Sequence, residues 1–204
     1  MKVLLVDHQD SFTWNLAHAL GACTGALPRV LDSREVVPGR VAAEPPDLVV
    51  LGPGPGDPAD RRDAARSLEL VLALPEATPL FGVCFGLQLL VTALGGRVVP
   101  AREPMHGKSS PVLHDGAGLF EGLPAPVEMM RYHSLVAERA TLPRDLHVTG
   151  ESSQGEVMAI AHARRPLAAV QFHPESVGSP RGARLIENAV AMARRAGGGG
   201  PPLR

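Results

Sequence analysis

Cys84 stands in the stretch Pro79-Leu-Phe-Gly-Val-Cys-Phe-Gly-Leu-Gln88, with Gly82 and Gly86 two residues to either side of it. An apolar run that ends at a nucleophile with this glycine spacing predicts a nucleophile elbow, a sharp turn from strand to helix that lifts the thiol out of a sheet. Such a turn crowds its own backbone and requires small neighbours. A helix starting just after Cys84 would aim N–H groups and the positive end of its dipole at the sulfur, favouring the thiolate, and would offer the Phe85 N–H to an oxyanion. Taken alone, the stretch also suits a buried structural cysteine, because free cysteines commonly serve as small hydrophobes.

A thiol nucleophile needs a base. Phe172-His-Pro-Glu-Ser176 follows directly on the apolar residues 167–170, and its proline fixes the local backbone so that the His173 imidazole and the Glu175 carboxylate can lie close. Glu175 would hold the ring's orientation and tautomer while His173 faces the sulfur. The plainer reading of His-Pro-Glu is a turn after a strand. The third element is Leu51-Gly-Pro-Gly-Pro-Gly-Asp-Pro58. Alternating glycine and proline makes a stiff loop that a ligand can approach closely, suited to donating a second N–H to an oxyanion. It does not suit phosphate, since no Lys-Ser or Lys-Thr completes a P-loop and each proline removes a donor.

These groups need a scaffold that brings strand ends together. Residues 2–6 read as a strand and 11–20 as a helix, with Ser11 as its N-cap and Gly21 or Gly25 as its stop. Further strands are expected at 29–31, 48–51 and 80–83, and helices over 60–74 and 86–94. Strands alternating with helices predict a mostly parallel central sheet covered by helices on both faces. From 97 to 169 short apolar pieces are broken by Gly, Pro and charge, which predicts additional antiparallel strands on the same sheet. A last helix over 181–195 would turn Ala183, Ile186, Val190 and Ala193 to one side. The expectation is one α/β domain over residues 1–196, with the Gly/Pro tail 197–204 disordered.

Composition narrows the function. A chain of 204 residues that is 45% hydrophobic can bury one full-sized core. Its 20 basic and 21 acidic residues leave no electrostatic footprint for nucleic acid or an anionic membrane. No apolar run approaches the roughly 20 residues of a membrane span, and the opening Met-Lys-Val-Leu-Leu-Val lacks a cleavage-type segment. The expected location is the cytoplasm. The two cysteines, Cys23 and Cys84, are expected to be free thiols. The eight histidines show no spacing of the kind zinc sites use, so no metal or other cofactor is assigned to this chain.

Together the three stretches resemble the class I, triad-type glutamine amidotransferases, marked by a glycine-flanked cysteine on an elbow, a later His-Pro-Glu and a Pro-Gly-Pro-Gly loop. The resemblance continues in Asp10-Ser-Phe-Thr-Trp-Asn-Leu16, Met105-His-Gly-Lys108, Arg131-Tyr-His-Ser-Leu135 and Val170-Gln-Phe-His-Pro-Glu-Ser176, and covers nearly the whole chain. These extra marks point to the glutaminase subunits of chorismate-using enzymes, anthranilate synthase and aminodeoxychorismate synthase. The resemblance implies Cys84 as nucleophile, His173 as base and Glu175 as its orienter. It also implies that Gly54, Pro55 and Gly56 line the glutamine site, with the Gly56 and Phe85 N–H groups as oxyanion donors. Gln88 would contact the substrate amide, and Ser134 and Leu135 would hold the amino-acid end through main-chain groups. The implied substrate is L-glutamine, and the implied partner is a chorismate-aminating synthase, on which a Mg2+ ion would be expected. Residues 10–15, 105–108 and 131–133 would be surface stretches available for partner contact, with Phe12 and Leu16 in the core.

Two departures stand out. Leu87 replaces a histidine common in the family, and Asp7-His-Gln-Asp-Ser replaces the common Asp-Asn-Tyr-Asp-Ser. The missing histidine is not the triad base, so activity should survive. The alternative readings are a free-standing γ-glutamyl hydrolase of the same fold and a non-catalytic regulatory subunit.

Overall fold

The structure, a computed structural model, describes residues 1–198. Short runs of branched residues and leucine form the strands β1 (Val3–Asp7), β2 (Arg29–Asp32), β3 (Leu48–Leu51) and β4 (Leu80–Val83). They alternate with the helices α1 (Thr13–Thr24), α2 (Pro38–Ala43), α3 (Arg61–Ala73) and α4 (Phe85–Ala93). The second half supplies β5 (Val98–His114), β6 (Val127–Ala137), β7 (Leu146–Ser152), β8 (Val157–His162), β9 (Leu167–Val170) and the closing helix α5 (Gly182–Gly197). All nine strands join one sheet in the order β2-β1-β3-β4-β9-β8-β7-β5-β6.

The first five strands of that order pair in parallel, whereas β8, β7, β5 and β6 are antiparallel additions. This is the predicted α/β sheet with its antiparallel extension. The register that matters is β4 against β9, running from Leu80 opposite Leu167 to Val83 opposite Val170. The two strands end level, so Cys84 and the chain following Val170 leave the sheet at the same edge.

Strand alternation divides the core. In β3, Leu48 and Val50 face the α1 and α5 side with Leu16, Leu20, Leu185 and Ile186. Val49 and Leu51 face the α3 and α4 side with Leu70, Phe85 and Leu90. Both faces of the parallel region are therefore covered, as its uniformly apolar strands require.

Several local expectations change. Helix α1 begins at Thr13, and its N-cap is Phe12 with no side-chain cap, so Ser11 does not cap it. The Asp10 carboxylate takes the Phe12 N–H at 2.8 Å and Asp7 takes the Thr13 hydroxyl at 2.7 Å, and these bonds hold the turn that leads into the helix. Gly25, at φ 81°, is the stop. In α5 the buried face is Leu185, Ile186, Ala189, Val190 and Ala193. Ala183 is exposed, because it stands at the edge of that stripe in the first turn of the helix. The helix also runs on through Gly197, taking in the first residue of the expected tail. The rest of that expectation, residues 199–204, lies outside the described residues. Among the described residues, no helix is long and apolar enough to cross a membrane.

Candidate active site

Strand β4 ends at Val83 and α4 begins at Phe85, so the whole turn falls on Cys84, at φ 54° and ψ −103°. A side chain at positive φ costs energy and persists only when its surroundings enforce it. They do so here by backbone hydrogen bonds: Cys84 N–H donates to Val170 O at 2.8 Å, and Cys84 O accepts from Leu87 N–H at 3.0 Å. Both flanking glycines are sterically required. A Cβ on Gly82 would stand 2.8 Å from the Gly86 carbonyl, and one on Gly86 would overlap the carbonyl oxygen of Leu51 in β3. Phe85, as the first residue of α4, has no intrahelical acceptor for its N–H.

His173 lies where the chain beyond β9 crosses the same edge. Its Nδ1 is 2.7 Å from Glu175 Oε1, and the two side chains are 2% and 0% exposed. A carboxylate accepts, so Nδ1 carries the proton and Nε2 is left for the sulfur. Nε2 makes no well-formed hydrogen bond, yet the Cys84 sulfur stands close enough to act on it. Burial pushes the imidazolium down; the Cys84 sulfur and the Glu175 carboxylate outweigh it and raise His173 to about 10. The ring is wedged against Tyr132, edge-on at 5.4 Å, and Phe12 at 5.5 Å. Its backbone is pinned twice: His173 N–H donates to Met130 O at 2.9 Å, and Ser179 Oγ donates to His173 O at 2.6 Å.

A file of carboxamides ends on the sulfur. Gln88 Nε2 donates to Leu135 O at 3.2 Å and to Gln171 Oε1 at 3.4 Å. Gln171 Nε2 in turn lies 3.7 Å from Cys84 Sγ. The thiol also has an acceptor, the Tyr132 carbonyl at 3.9 Å. Donors aimed at the sulfur complement a thiolate, whereas a carbonyl complements the thiol.

Beneath this surface, β6 turns alternate residues inward. Arg131 and His133 are therefore buried, at 5% and 3% exposure, and are not the surface residues expected. Arg131 pairs with Glu156 at 2.9 Å and donates to His133 Nε2 at 2.9 Å. Burial, then the charges of Arg131 and His173, hold His133 down at about 3, so its ring is neutral. The outward residues of β6 are Tyr132 beside His173 and Ser134, which is exposed and 3.2 Å from His106 Nε2.

The glycine and proline loop is fastened by a residue whose role the sequence leaves open. His8 bonds Gly52 O through Nδ1 at 3.1 Å and Ser67 Oγ through Nε2 at 2.8 Å, and meets Phe85 edge-on at 5.2 Å. Burial holds its imidazolium down at about 4, against the pull of Gly52 and of Asp7 and Asp32. His8 thus works as a neutral bolt between β1, the loop and α3. Gly54 fits against its backbone, where a Cβ would come within 2.8 Å of His8 O. Pro55 and Gly56 are exposed at the outer side of the loop, Gly56 at φ 133° beside Asp63.

The structure thus gathers Cys84, Phe85, His173, Glu175, Gln88 and Leu135 at one edge of the sheet. Ser134 lies next to them, and Gly54 joins through His8. Phe12 is half-buried against His173, neither core nor free surface, while Leu16 is core. Ser179 lies outside the sequence motifs, and Gln171 and Tyr132, though inside them, are given no role at the cysteine or the histidine there. A signal existed for Gln171, since strand alternation places it on the same side of the chain as His173.

A family model described as glutamine amidotransferase class-I matches residues 4–193. The chain is 45% identical to an anthranilate synthase component 2 of Azospirillum brasilense, covering 95% of this chain and 97% of that protein. It is 46% identical to an aminodeoxychorismate synthase of Streptomyces griseus, over 97% of this chain but 27% of that longer protein. A solved structure of a glutamine amidotransferase from Thermotoga maritima superposes with a TM-score of 0.74, over 96% of this chain and 96% of its own. At 16% identity that likeness speaks for the fold alone.

Proposed function

The chain belongs to the glutamine amidotransferase class-I family, and from that premise we propose that it hydrolyses L-glutamine and passes the ammonia to a chorismate-aminating synthase. Cys84 is the nucleophile, His173 the general acid and base, and Glu175 the residue that orients His173. The observation that carries these roles is the buried 2.7 Å His173–Glu175 pair facing a cysteine strained to φ 54°.

The thiolate attacks the carboxamide carbon of glutamine, and the negative charge moves to the oxygen. N–H groups of Phe85 and Gly56 receive it, an effect worth on the order of 3 kcal/mol per donor. Collapse of the tetrahedral intermediate breaks the C–N bond, and the leaving nitrogen takes the proton held on His173. Water then attacks the glutamyl thioester while His173 accepts its proton, releasing glutamate and restoring the resting pair. Gln88 and the main chain of Ser134 and Leu135 hold the substrate, with Gly54 and Pro55 along its other side. No step requires a cofactor on this chain; a Mg2+ ion, where used, belongs to the chorismate chemistry of the partner.

Ammonia released to water becomes ammonium and is lost as a nucleophile, so a docked synthase is part of the function. The names of the two relatives support chorismate as its substrate. Trp14, 57% exposed, and fully exposed Val177 flank the site on the sequences that carry Phe12 and Glu175, and supply apolar contact area for that partner. Such a pair works in the cytoplasm.

The test is co-purification with candidate synthases, followed by product identification from chorismate and glutamine. An aminated chorismate product, anthranilate or aminodeoxychorismate, is expected. A chorismate-independent acceptor, or full glutamine turnover with no partner, would overturn the assignment.

A further inference from the structure

The edge of the sheet opposite Cys84 carries a cavity that the proposed reaction does not use. It has a volume of about 740 Å³ and opens where β4 and β9 begin, between the end of α5 and the β7–β8 hairpin. Its floor is apolar, formed by residues such as Leu119, Leu167 and Met192, and its walls carry Arg165, Arg195 and His162.

Two guanidinium groups in these walls have no ion-pair partner among the described residues. Nε and Nη2 of Arg165 and Nε of Arg195 are packed away from solvent without a hydrogen-bond partner among the described residues, which leaves Nη1 of Arg165 and the two Nη atoms of Arg195 as the nitrogens a ligand can reach. Buried N–H groups of guanidinium ions are costly to leave unpaired. Neither arginine forms an ion pair among the described residues, whereas neighbouring Arg164 is taken by Asp145 at 3.0 Å. His162 adds a third donor. Its Nδ1 accepts the N–H groups of Arg164 and Arg165, each at 3.1 Å, which leaves the proton on Nε2. Glu76 and Asp115 also line the cavity, and both are exposed. Neither carboxylate forms an ion pair with Arg165 or Arg195 among the described residues.

We propose that this cavity is a second ligand site, taking a small anion, carboxylate or phosphate, carried on an apolar body. Arg165 and Arg195 grip the anion with His162 beside them, and the apolar body lies on Leu167 and Met192. The site is separate from the glutamine site: Leu167 opens the strand β9 whose far end leads to His173, so the two lie at opposite edges of the sheet.

Benzoate and phenyl phosphate are the probes, with benzyl alcohol as the neutral control, and binding is followed by isothermal titration and by the ring resonances of His162. Saturable binding of at least one anion is expected, with the alcohol at least tenfold weaker. Arg165→Gln and Arg195→Gln should each weaken it by about tenfold or more while leaving glutamine hydrolysis unchanged. Binding should persist after Cys84 has been alkylated, which separates this site from the glutamine site. Absence of saturable binding by both anions, equal binding of the alcohol, retention in both variants, or loss on alkylation of Cys84 would each overturn the proposal.

Discussion

The carbonyl oxygen of Leu51 occupies the space that a side chain on Gly86 would need. The elbow is therefore closed by a neighbouring strand as well as by its own turn, and Gly86→Ala must push α4 off β3. We expect a loss of about 2 kcal/mol or more in unfolding free energy by urea titration, in the range of overpacked cores. Gly39→Ala is the control: it lies in α2 with nothing within 4 Å of the new Cβ. That change should be neutral or mildly stabilising.

Gln171 places an amide donor 3.7 Å from the Cys84 sulfur, braced by Gln88 behind it. Gln171→Leu removes the donor from the sulfur and leaves the Gln88 side chain held by Leu135 O alone among the described residues. Glutamine hydrolysis with a saturating partner should lose about tenfold or more in kcat/KM. The loss should fall on kcat with KM little changed and the far-ultraviolet circular dichroism unaltered, which a purely structural role for Gln171 would not produce.

Three histidines set opposite slopes in stability against pH. His173 is raised to about 10, so its contribution is complete below its ordinary 6.5 and is lost as pH rises through about 10. His8 and His133, held at about 4 and about 3, contribute fully above 6.5 and lose that contribution as pH falls toward those values. Unfolding free energy should therefore be highest near pH 6.5 and fall on both sides. In Cys84→Ala the sulfur that raises His173 is gone. Its ring should titrate by NMR at least about one pH unit lower than in the wild type, and the alkaline slope should flatten.

Arg131 and Glu156 form an ion pair with side chains only 6% exposed, between the strand that pins His173 and the one that follows β7. Arg131→Met leaves Glu156 buried and unpaired, and should cost about 3 kcal/mol or more. Adding Glu156→Leu should restore part of that loss, a coupling that a double-mutant cycle in urea reads directly.

The parallel half of the fold was legible because its strands are short apolar runs with turn signals at both ends, as at Leu48 to Leu51. The three residues proposed as a triad could be singled out because glycine spacing and His-Pro-Glu are local patterns. Burial of Arg131 and His133 was not, since it depends on the phase of strand alternation, which charge obscures when a paired arginine sits inside. Ser11 fails as a cap because the helix starts one residue later than the polar pattern suggests: the chain turns at Asp10, whose carboxylate takes the Phe12 N–H, and Phe12 becomes the N-cap. The carboxamide file from Leu135 to Cys84 joins residues 47 and 83 positions apart. No local pattern can announce it. His8 stands out in the sequence only as a departure, although a histidine facing a glycine loop can bolt it by both ring nitrogens.

The central claim is that Cys84 carries out the chemistry, and one measurement tests it most directly. Glutamate release from glutamine is compared for the wild type and Cys84→Ser, each saturated with its synthase partner. The wild type should turn over, and the serine variant should fall by about a thousandfold or more, because a hydroxyl is a far weaker acid and a poorer nucleophile than a thiol. Glutamate release by Cys84→Ser near the wild-type rate would contradict the assignment of Cys84 as the nucleophile.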